Sequence, residues 1–319
     1  MSTTCPLLYV SRLLPHPVMA LVHERFQLVD EPTETTPTPA ALRNGFSRAD
    51  AAICTLTDLV DADLLSSAAH LKILANYAVG YNNIDLDAAR RCKIVVTNTP
   101  DVLTDATADL TWALLLATAR RVIEGDILVR SHRWTGWTPT QLLGTEVSGK
   151  TLGVLGMGRI GRAVARRAEG FRMVIRYHSH RSLPTVPDAW EPRPLDTLLQ
   201  QSDFVTLHLP LNAETRHLVG AREFSLMRPT AILINTSRGP IIDEAALVHA
   251  LQSGTIAGAG LDVYEEEPVI HPVLSSLKQV VLLPHLGSAT MQVRVQMGLI
   301  CLENIQAVLE GRPAPNRVD

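Results

Sequence analysis

Hydrophobic residues in this chain form short runs, each followed by a stretch with helical spacing, almost from the first residues onward. Three early runs, Pro6–Val10, Ala51–Cys54 and Leu71–Ala75, are typical of buried strands, and Ala62–Ala69 between them has the length of a helix. Strands that alternate with helices predict a parallel sheet, because each crossover between parallel strands needs a helix-length connection. The first part of the chain is therefore predicted to be an α/β unit.

A longer helix is predicted from Thr104 onward, with Leu110, Ala113, Leu114 and Ala117 on its apolar stripe, and we expect it to bridge two domains. Beyond this helix, strand and helix patterns alternate again. Six strand candidates at this spacing are what a doubly wound nucleotide-binding fold requires. The six candidates are Thr151–Leu155, Met173–Tyr177, Phe204–Leu209, Ala231–Asn235, Gly258–Asp262 and Val280–Leu283.

Composition narrows the class of protein. A length of 319 residues suggests two domains, and a net charge of −3 with dispersed basic residues argues against nucleic acid as a partner. The longest apolar stretch, Leu110–Ala119, is shorter than the ~20 residues that span a bilayer. The four cysteines are widely separated, so neither a disulfide framework nor a structural metal site is expected. The first residues lack the pattern of a secretory signal, and we expect a soluble, cytoplasmic protein.

A glycine motif, GMGRIG over residues 156–161, closes the strand Thr151–Leu155 and opens a predicted helix. This context favours a dinucleotide site, whereas the same glycines elsewhere would be a weak signal. The first glycine permits a tight turn, the second lets the backbone approach a pyrophosphate, and the third lets helix and strand pack closely. The residues predicted to bind the dinucleotide here are Gly156, Gly158, Arg159, Ile160 and Gly161.

The second strand of such a fold discriminates between NAD and NADP, because an acidic residue near its end usually binds the ribose 2′-hydroxyl of NAD. In this chain Met173–Tyr177 is followed by HSHRS over residues 178–182, which contains no carboxylate. An arginine beside small polar groups can instead neutralise a 2′-phosphate. NADP(H) is therefore favoured over NAD(H), with Ser179, His180 and Arg181 as the predicted contacts, although the two histidines also fit an exposed loop.

Three polar segments follow later apolar runs, at positions where ligands bind in open α/β sheets. They contain Arg238, Glu267 and His285. Arg238 can hold a carboxylate through two parallel hydrogen bonds. His285 suits the role of general acid, because imidazole titrates near neutral pH, and Glu267 would stabilise its protonated form. Each residue alone has an ordinary structural explanation, but the three together indicate reduction of a 2-keto acid.

The chain resembles the D-isomer-specific 2-hydroxyacid dehydrogenases along essentially its whole length, and their glyoxylate/hydroxypyruvate reductase branch most of all. The residues that carry the resemblance are Asn76–Asp85, Thr99–Asp109, the glycine motif, Asn235–Asp243 and the segments with Glu267 and His285. The resemblance implies two Rossmann-like doubly wound domains of the α/β class. The NAD(P)-binding domain, residues 101–284, would be inserted in a discontinuous, flavodoxin-like substrate domain, residues 1–100 and 285–319.

The resemblance also implies roles for individual residues. Arg238, Glu267 and His285 would be catalytic, and the backbone amides of Val79 and Gly80 would meet the substrate carboxylate. A homodimer would form through the nucleotide-binding domain, with Trp137 either reaching a neighbouring active site or anchoring the interface. Further cofactor contacts would come from Thr104, Leu209, Pro210, Thr215, Thr236, Ser237, Asp262 and Gly287.

The expected substrates are small 2-keto acids, namely glyoxylate and hydroxypyruvate, because the apolar pair Ala78-Val79 suits a small neutral substituent. Phosphite dehydrogenases resemble the chain too, but they place a lysine in this loop. A D-lactate-type dehydrogenase is a further alternative. From another functional class, a dinucleotide-sensing module related to transcriptional corepressors would use the same fold without turnover.

Overall fold

The computed structural model describes residues 5–180 and 186–318, and these form two compact units. One unit combines the chain up to Leu103 with the chain from Ser288 onward, and the other extends from Thr104 to Gly287. His285, expected at the start of a segment of the first domain, lies in the second unit. The described helices include none with the length and apolar character that crossing a membrane requires.

The first unit contains a parallel sheet with the order β2-β1-β3-β4-β5 in the described residues. The three predicted strands are present, although the third begins two residues later than expected. The strands β2 and β5 were not predicted, because two or three residues are too short to show a hydrophobic pattern. The strands are β1 Leu7–Val10, β2 Gln27–Leu28, β3 Ala51–Cys54, β4 Ile73–Asn76 and β5 Val95–Thr97.

The second unit contains a parallel sheet with the order β12-β11-β10-β9-β6-β7-β8 in the described residues. All six predicted strands are found, and the short β8 beyond β7 was not predicted. The doubly wound α/β architecture is confirmed. The strands are β6 Thr151–Leu155, β7 Val174–His178, β8 Glu191–Pro192, β9 Phe204–Leu207, β10 Ile232–Asn235, β11 Gly258–Leu261 and β12 Val280–Leu282.

Helices cover both faces of each sheet, which explains why the strands are apolar on both sides. The helix α11 near the end of the chain packs against α1 and β4, so the first unit is built from both parts of the sequence. The helices are α1 His16–Arg25, α2 Pro39–Arg48, α3 Ala62–Ser66, α4 Leu86–Cys92, α5 Thr104–Ala119, α6 Val122–Arg130, α7 Arg159–Gly170, α8 Leu195–Gln201, α9 Ala221–Leu226, α10 Glu244–Gln252 and α11 Met291–Leu309, with short 3₁₀ turns at Gly239–Ile241 and Leu274–Ser276.

The apolar stripe predicted for α5 is confirmed only in part, since Leu114 is buried and Ala117 packs against the core. Ala113 is exposed, whereas Thr107, Thr111 and Thr118 are buried. The hydroxyl groups of Thr111 and Thr118 donate to the carbonyl groups four residues earlier, at 2.8 Å each. Because these hydroxyl groups are satisfied within the helix, the two threonines can be buried without an unpaired polar group.

Candidate active site

The loops that follow β10, β11 and β12 leave the same edge of the larger sheet, because all strands of that sheet are parallel. They carry Arg238, Glu267 and His285, respectively. All three residues lie in the unit Thr104–Gly287, together with the glycine motif. Residues that are far apart in the sequence therefore lie at neighbouring positions along one edge of the sheet.

Asn235, the last residue of β10, organises the backbone that carries Arg238. Its side-chain oxygen accepts hydrogen bonds from the backbone N–H and the hydroxyl group of Ser237, at 3.0 and 2.8 Å. Its side-chain nitrogen donates to the carbonyl oxygen of Arg238 at 2.9 Å. Burial lowers the pKa of Arg238 while the charge of Glu267 opposes this shift, but an arginine remains protonated in either case.

Gly239 brings the loop after β10 against the loop after β11. A Cβ atom at Gly239 would lie 1.8 Å from the carbonyl oxygen of Tyr264 and 2.5 Å from the backbone nitrogen of Glu265. The two backbones therefore touch at a place where no side chain can stand between them. This contact places the loop of Arg238 directly beside the loop that carries Glu267.

Glu267 and His285 form a hydrogen-bonded pair. The Oε2 atom of Glu267 lies 2.8 Å from Nδ1 of His285, and its Oε1 atom accepts the backbone N–H of Tyr264 at 3.1 Å. Burial acts to raise the pKa of Glu267, but the hydrogen bond and positive charge of His285, with smaller contributions from Tyr264 and Arg238, lower it overall. Glu267 is thus held as a carboxylate against one nitrogen of the imidazole ring.

Asp262 fixes the turn that carries His285. Its fully buried carboxylate accepts the backbone N–H groups of Leu286 and Gly287, at 2.7 and 2.9 Å. Its carbonyl oxygen also accepts the N–H of His285 at 2.9 Å. His285 itself has a left-handed backbone with φ of 55°, a conformation that costs energy for a residue with a side chain. Burial raises the pKa of Asp262.

Two further sets of hydrogen bonds at this edge of the sheet were not predicted. Glu244 and Glu265 exchange hydrogen bonds, since each side chain accepts the other residue's backbone N–H, at 3.0 and 3.1 Å, and Glu244 also accepts the N–H of His271 at 2.9 Å. These hydrogen bonds attach the loop to the start of α10 on both sides of Glu267. On α5, Thr107 donates to the carbonyl group of Gly287 at 3.0 Å. Side chains that bond across loops leave no periodic signal in a sequence.

The glycine turn is tightly built on one side and open on the other. Gly156 has a φ of 94°, and a Cβ atom on Gly161 would lie 2.1 Å from the carbonyl oxygen of Gly156. Gly158, by contrast, has no atom within 4 Å of the place where its Cβ would stand. The helix α7 begins at Arg159, so the N–H groups of its first turn, which have no partner within the helix, point toward this turn. The space beside Gly158 fits a phosphate group.

The other predicted contacts lie as follows. Ser179 and His180 directly follow β7, and the His180 ring lies 5.3 Å from the His178 ring, whereas Arg181 lies outside the described residues. Leu209 and Pro210 follow β9, and Thr215 closes their loop by donating to the Pro210 carbonyl group at 2.6 Å. Thr104 is the first residue of α5, and the hydroxyl group of Thr236 lies 2.8 Å from that of Thr111.

Val79 and Gly80 lie in the first unit, after β4. Their carbonyl groups accept hydrogen bonds from the buried side chains of Asn98 and Asn76, at 2.8 and 2.9 Å. Trp137 belongs to the second unit and is 78% exposed. Within residues 5–180 and 186–318, no three histidine, cysteine, aspartate or glutamate side chains are arranged to hold a metal ion.

Comparison with known proteins supplies independent information. Residues 112–287 match the family described as D-isomer specific 2-hydroxyacid dehydrogenase, NAD binding domain. The chain is 46% identical to a glyoxylate reductase of Thermococcus litoralis over 98% of this chain and 97% of that protein, and 52% identical to a glyoxylate reductase of Aeropyrum pernix over 85% and 83%.

Solved structures agree with this result. A protein from Thermus thermophilus is 43% identical and superposes with a TM-score of 0.93, over 98% of this chain and all of that one. An NADPH-dependent glyoxylate/hydroxypyruvate reductase from Sinorhizobium meliloti, solved with NADP and malonate, is 34% identical with a TM-score of 0.89, over 99% and 97% of the two chains.

Proposed function

Because the chain belongs to the D-isomer specific 2-hydroxyacid dehydrogenase family, we propose that it reduces glyoxylate to glycolate and hydroxypyruvate to D-glycerate. The observation that carries the proposal is the hydrogen bond between Glu267 and His285, in the unit that also holds Arg238 and the glycine turn. Relatives named glyoxylate reductase, similar over almost the whole chain, support this substrate class. The proposed cofactor is NADPH in preference to NADH, since residues 178–182 include no carboxylate.

Arg238 is proposed to bind the substrate carboxylate. Its planar guanidinium group can donate two parallel hydrogen bonds to the two carboxylate oxygens, which orients the keto group as well as holding it. The restraint of its backbone by Asn235 supports this role, because orientation requires a fixed point of attachment.

His285 is proposed to donate the proton that the carbonyl oxygen receives. Its Nδ1 atom is engaged by Glu267, so Nε2 is the nitrogen that would carry the transferred proton. The Glu267 carboxylate stabilises the protonated ring by its negative charge. A bound dihydronicotinamide supplies the hydride that reduces the carbonyl carbon. Asp262 keeps His285 in place through the turn at residues 285–287.

The substrate loop supports a small substituent. Ala78 and Val79 present no charged group. This agrees with a 2-keto acid whose keto carbon carries a hydrogen atom or a hydroxymethyl group, and it disfavours phosphite as the substrate. The role of the Val79 and Gly80 amides as partners of the substrate carboxylate stays a prediction.

A homodimer is proposed to form through the second unit. The helix α6 buries none of its own residues, and Ile123 and Ile127 on it are 44% and 50% exposed. A groove of about 650 Å³ beside these two residues also includes Leu143. Together they form an exposed apolar surface, and a second copy of the chain is the occupant that we propose. Light scattering is expected to give a dimer for the parent protein and a monomer for Ile127→Glu, and a parent monomer would contradict this assembly.

The test of the function is the initial rate of reduction of glyoxylate and of hydroxypyruvate, each with NADPH and with NADH at matched concentrations. Strong turnover linked to NADPH is expected. Turnover that prefers NADH would keep the enzyme but exclude the proposed cofactor preference. The absence of turnover with either cofactor would contradict the proposal and favour other 2-keto acids, or the dinucleotide-sensing module.

A further inference from the structure

Three charged side chains meet beside β7 and β8. One carboxylate oxygen of Glu191 lies 3.1 Å from Nε of Arg176 and 2.6 Å from Nη2 of Arg193. A single carboxylate is thus shared by two guanidinium groups, and the cluster of Arg176, Glu191 and Arg193 has a net positive charge. Arg193 remains 36% exposed, so its guanidinium group is accessible from solvent.

Arg193 is connected to the glycine turn through the end of β7. The backbone N–H of Gly156 donates to the carbonyl oxygen of His178 at 3.0 Å, and Nδ1 of His178 lies 3.1 Å from the carbonyl oxygen of Arg193. The N–H of Arg193 donates in turn to the carbonyl group of Tyr177 at 2.9 Å. These bonds attach Arg193 to the strand end that discriminates between the two cofactors in this fold.

The charges at this strand end favour a phosphate over a hydroxyl group. In a protein that prefers NAD, a carboxylate here would accept the ribose hydroxyl group, but the carboxylate of Glu191 is occupied by two arginines. A 2′-phosphate has a charge close to −2 and several acceptor oxygens, which match a guanidinium fork. Glu191 holds the Arg193 side chain beside β8 before a ligand is bound.

We propose that Arg193 is a specificity-determining residue that binds the adenosine 2′-phosphate of NADPH. This inference rests on the proposed function, because it assumes that the glycine turn binds a nicotinamide dinucleotide. Contacts with the 2′-phosphate were predicted only for residues 179–181. Arg193 lies outside that loop, directly after β8, a strand that the sequence pattern did not reveal.

The direct test is calorimetric titration with 2′,5′-ADP and with 5′-AMP, which differ only in the 2′-phosphate. The parent protein is expected to bind 2′,5′-ADP more tightly. Arg193→Ala should reduce the affinity for 2′,5′-ADP roughly 10- to 100-fold, as expected for one charge-assisted contact, and leave that for 5′-AMP unchanged. Arg193→Lys keeps the charge and should give an intermediate loss. The same variants should lower kcat/KM for NADPH and not for NADH.

Arg222→Ala is the matched control, because it removes the same charge from α9, where Arg222 pairs with Asp196. It is expected to bind both probes like the parent protein. Equal binding of the two probes by the parent protein would overturn both the inference and the NADPH preference. An unchanged affinity of Arg193→Ala for 2′,5′-ADP, or an equal loss of affinity for both probes, would overturn the role of Arg193 alone. A similar loss in Arg222→Ala would overturn it by indicating a general effect of charge.

Discussion

Two glycines at the same edge of the larger sheet have opposite surroundings. Gly239 has backbone atoms of the neighbouring loop where its Cβ would stand, and Gly158 has open space there. The first region is filled by the protein itself, whereas the second is shaped for a ligand to fill. The comparison separates residues that build the site from residues that leave room for the cofactor.

The two regions also differ in how their polar groups are held. Near Gly239, the carboxylates of Glu267 and Asp262 accept hydrogen bonds from backbone N–H groups. His285 is held by its side-chain hydrogen bond to Glu267 and by its backbone hydrogen bond to Asp262. In the second region, the cluster with Arg193 lies at a partly exposed strand end that is hydrogen-bonded to Gly156 through His178. A proton transfer needs donor and acceptor within hydrogen-bond reach, whereas a phosphate is bound by charge over a wider range of positions. The hydrogen bonds to the backbone suit the first task, and a partly exposed guanidinium group suits the second.

The largest effect should come from His285→Asn, which tests whether chemistry is confined to the first region. Asparagine tolerates the left-handed backbone at this position but cannot donate a proton as an acid. Turnover is expected to fall by ~10²–10⁴, with the dissociation constant for NADPH nearly unchanged. Steady-state kinetics and fluorescence titration measure the two quantities. His249→Ala, an exposed histidine on α10, is the control, and full activity of His285→Asn would refute the general-acid role.

Gly239→Ala tests whether the first region is truly filled by protein. The added Cβ would overlap the backbone of Tyr264, so the two loops must separate. A loss of about 1–3 kcal/mol in the free energy of unfolding is expected, together with reduced turnover. Urea denaturation measures the first quantity. Gly170→Ala, where an added Cβ meets nothing, is the matched control. A variant as stable as this control would contradict the contact.

Gly158→Ala tests the second region and should show the reverse pattern. An added Cβ meets no atom, and a φ of −76° suits alanine, so at most about 1 kcal/mol is lost from the weaker N-cap of α7. The methyl group would occupy the space proposed for the pyrophosphate. We expect NADPH to bind at least about tenfold more weakly, equivalent to ~1.4 kcal/mol, in a fluorescence titration. Unchanged binding would mean that this space is not used.

The smallest effect concerns the pH dependence of stability. The pKa of Glu267 is lowered in the folded protein, so its carboxylate stabilises the fold at pH values above the unfolded pKa of ~4.3. That contribution is lost as the pH falls through the lowered folded value. Glu267→Gln should therefore be less stable than the parent protein near neutral pH, and the difference should shrink in acid. Urea denaturation across this range measures it, with Glu266→Gln as the control. A difference independent of pH would argue against the pairing with His285.

Much of the architecture could be predicted from the sequence, because strands buried on both faces are continuous apolar runs. Each of the six strands predicted in the second unit is present, and the glycine motif lies where β6 ends. Arg238, Glu267 and His285 could be singled out because each follows such a run. The signal in these cases is local, since strand, turn and polar residue are adjacent in the chain.

The remaining features depend on contacts between distant segments. Thr111 and Thr118 of α5 are buried although they are polar, because their hydroxyl groups donate to carbonyl groups of the same helix, a fact that a polarity pattern cannot express. The strand β8 has two residues, one of them proline, and so it escaped prediction together with Arg193 beside it. Glu244 and Glu265 are 21 positions apart in the sequence, and each side chain accepts a hydrogen bond from the backbone of the other.

The left-handed backbone of His285 has a consequence for efforts to engineer a more heat-resistant form of this protein. A search guided by backbone strain alone would select His285→Gly, because glycine adopts this conformation without steric cost and would relieve strain of about 1 kcal/mol, although the hydrogen bond to Glu267 would be lost. The same exchange would remove the proposed acid. Position 285 is therefore one where selection for turnover and the relief of backbone strain oppose each other, and a design protocol should hold it constant.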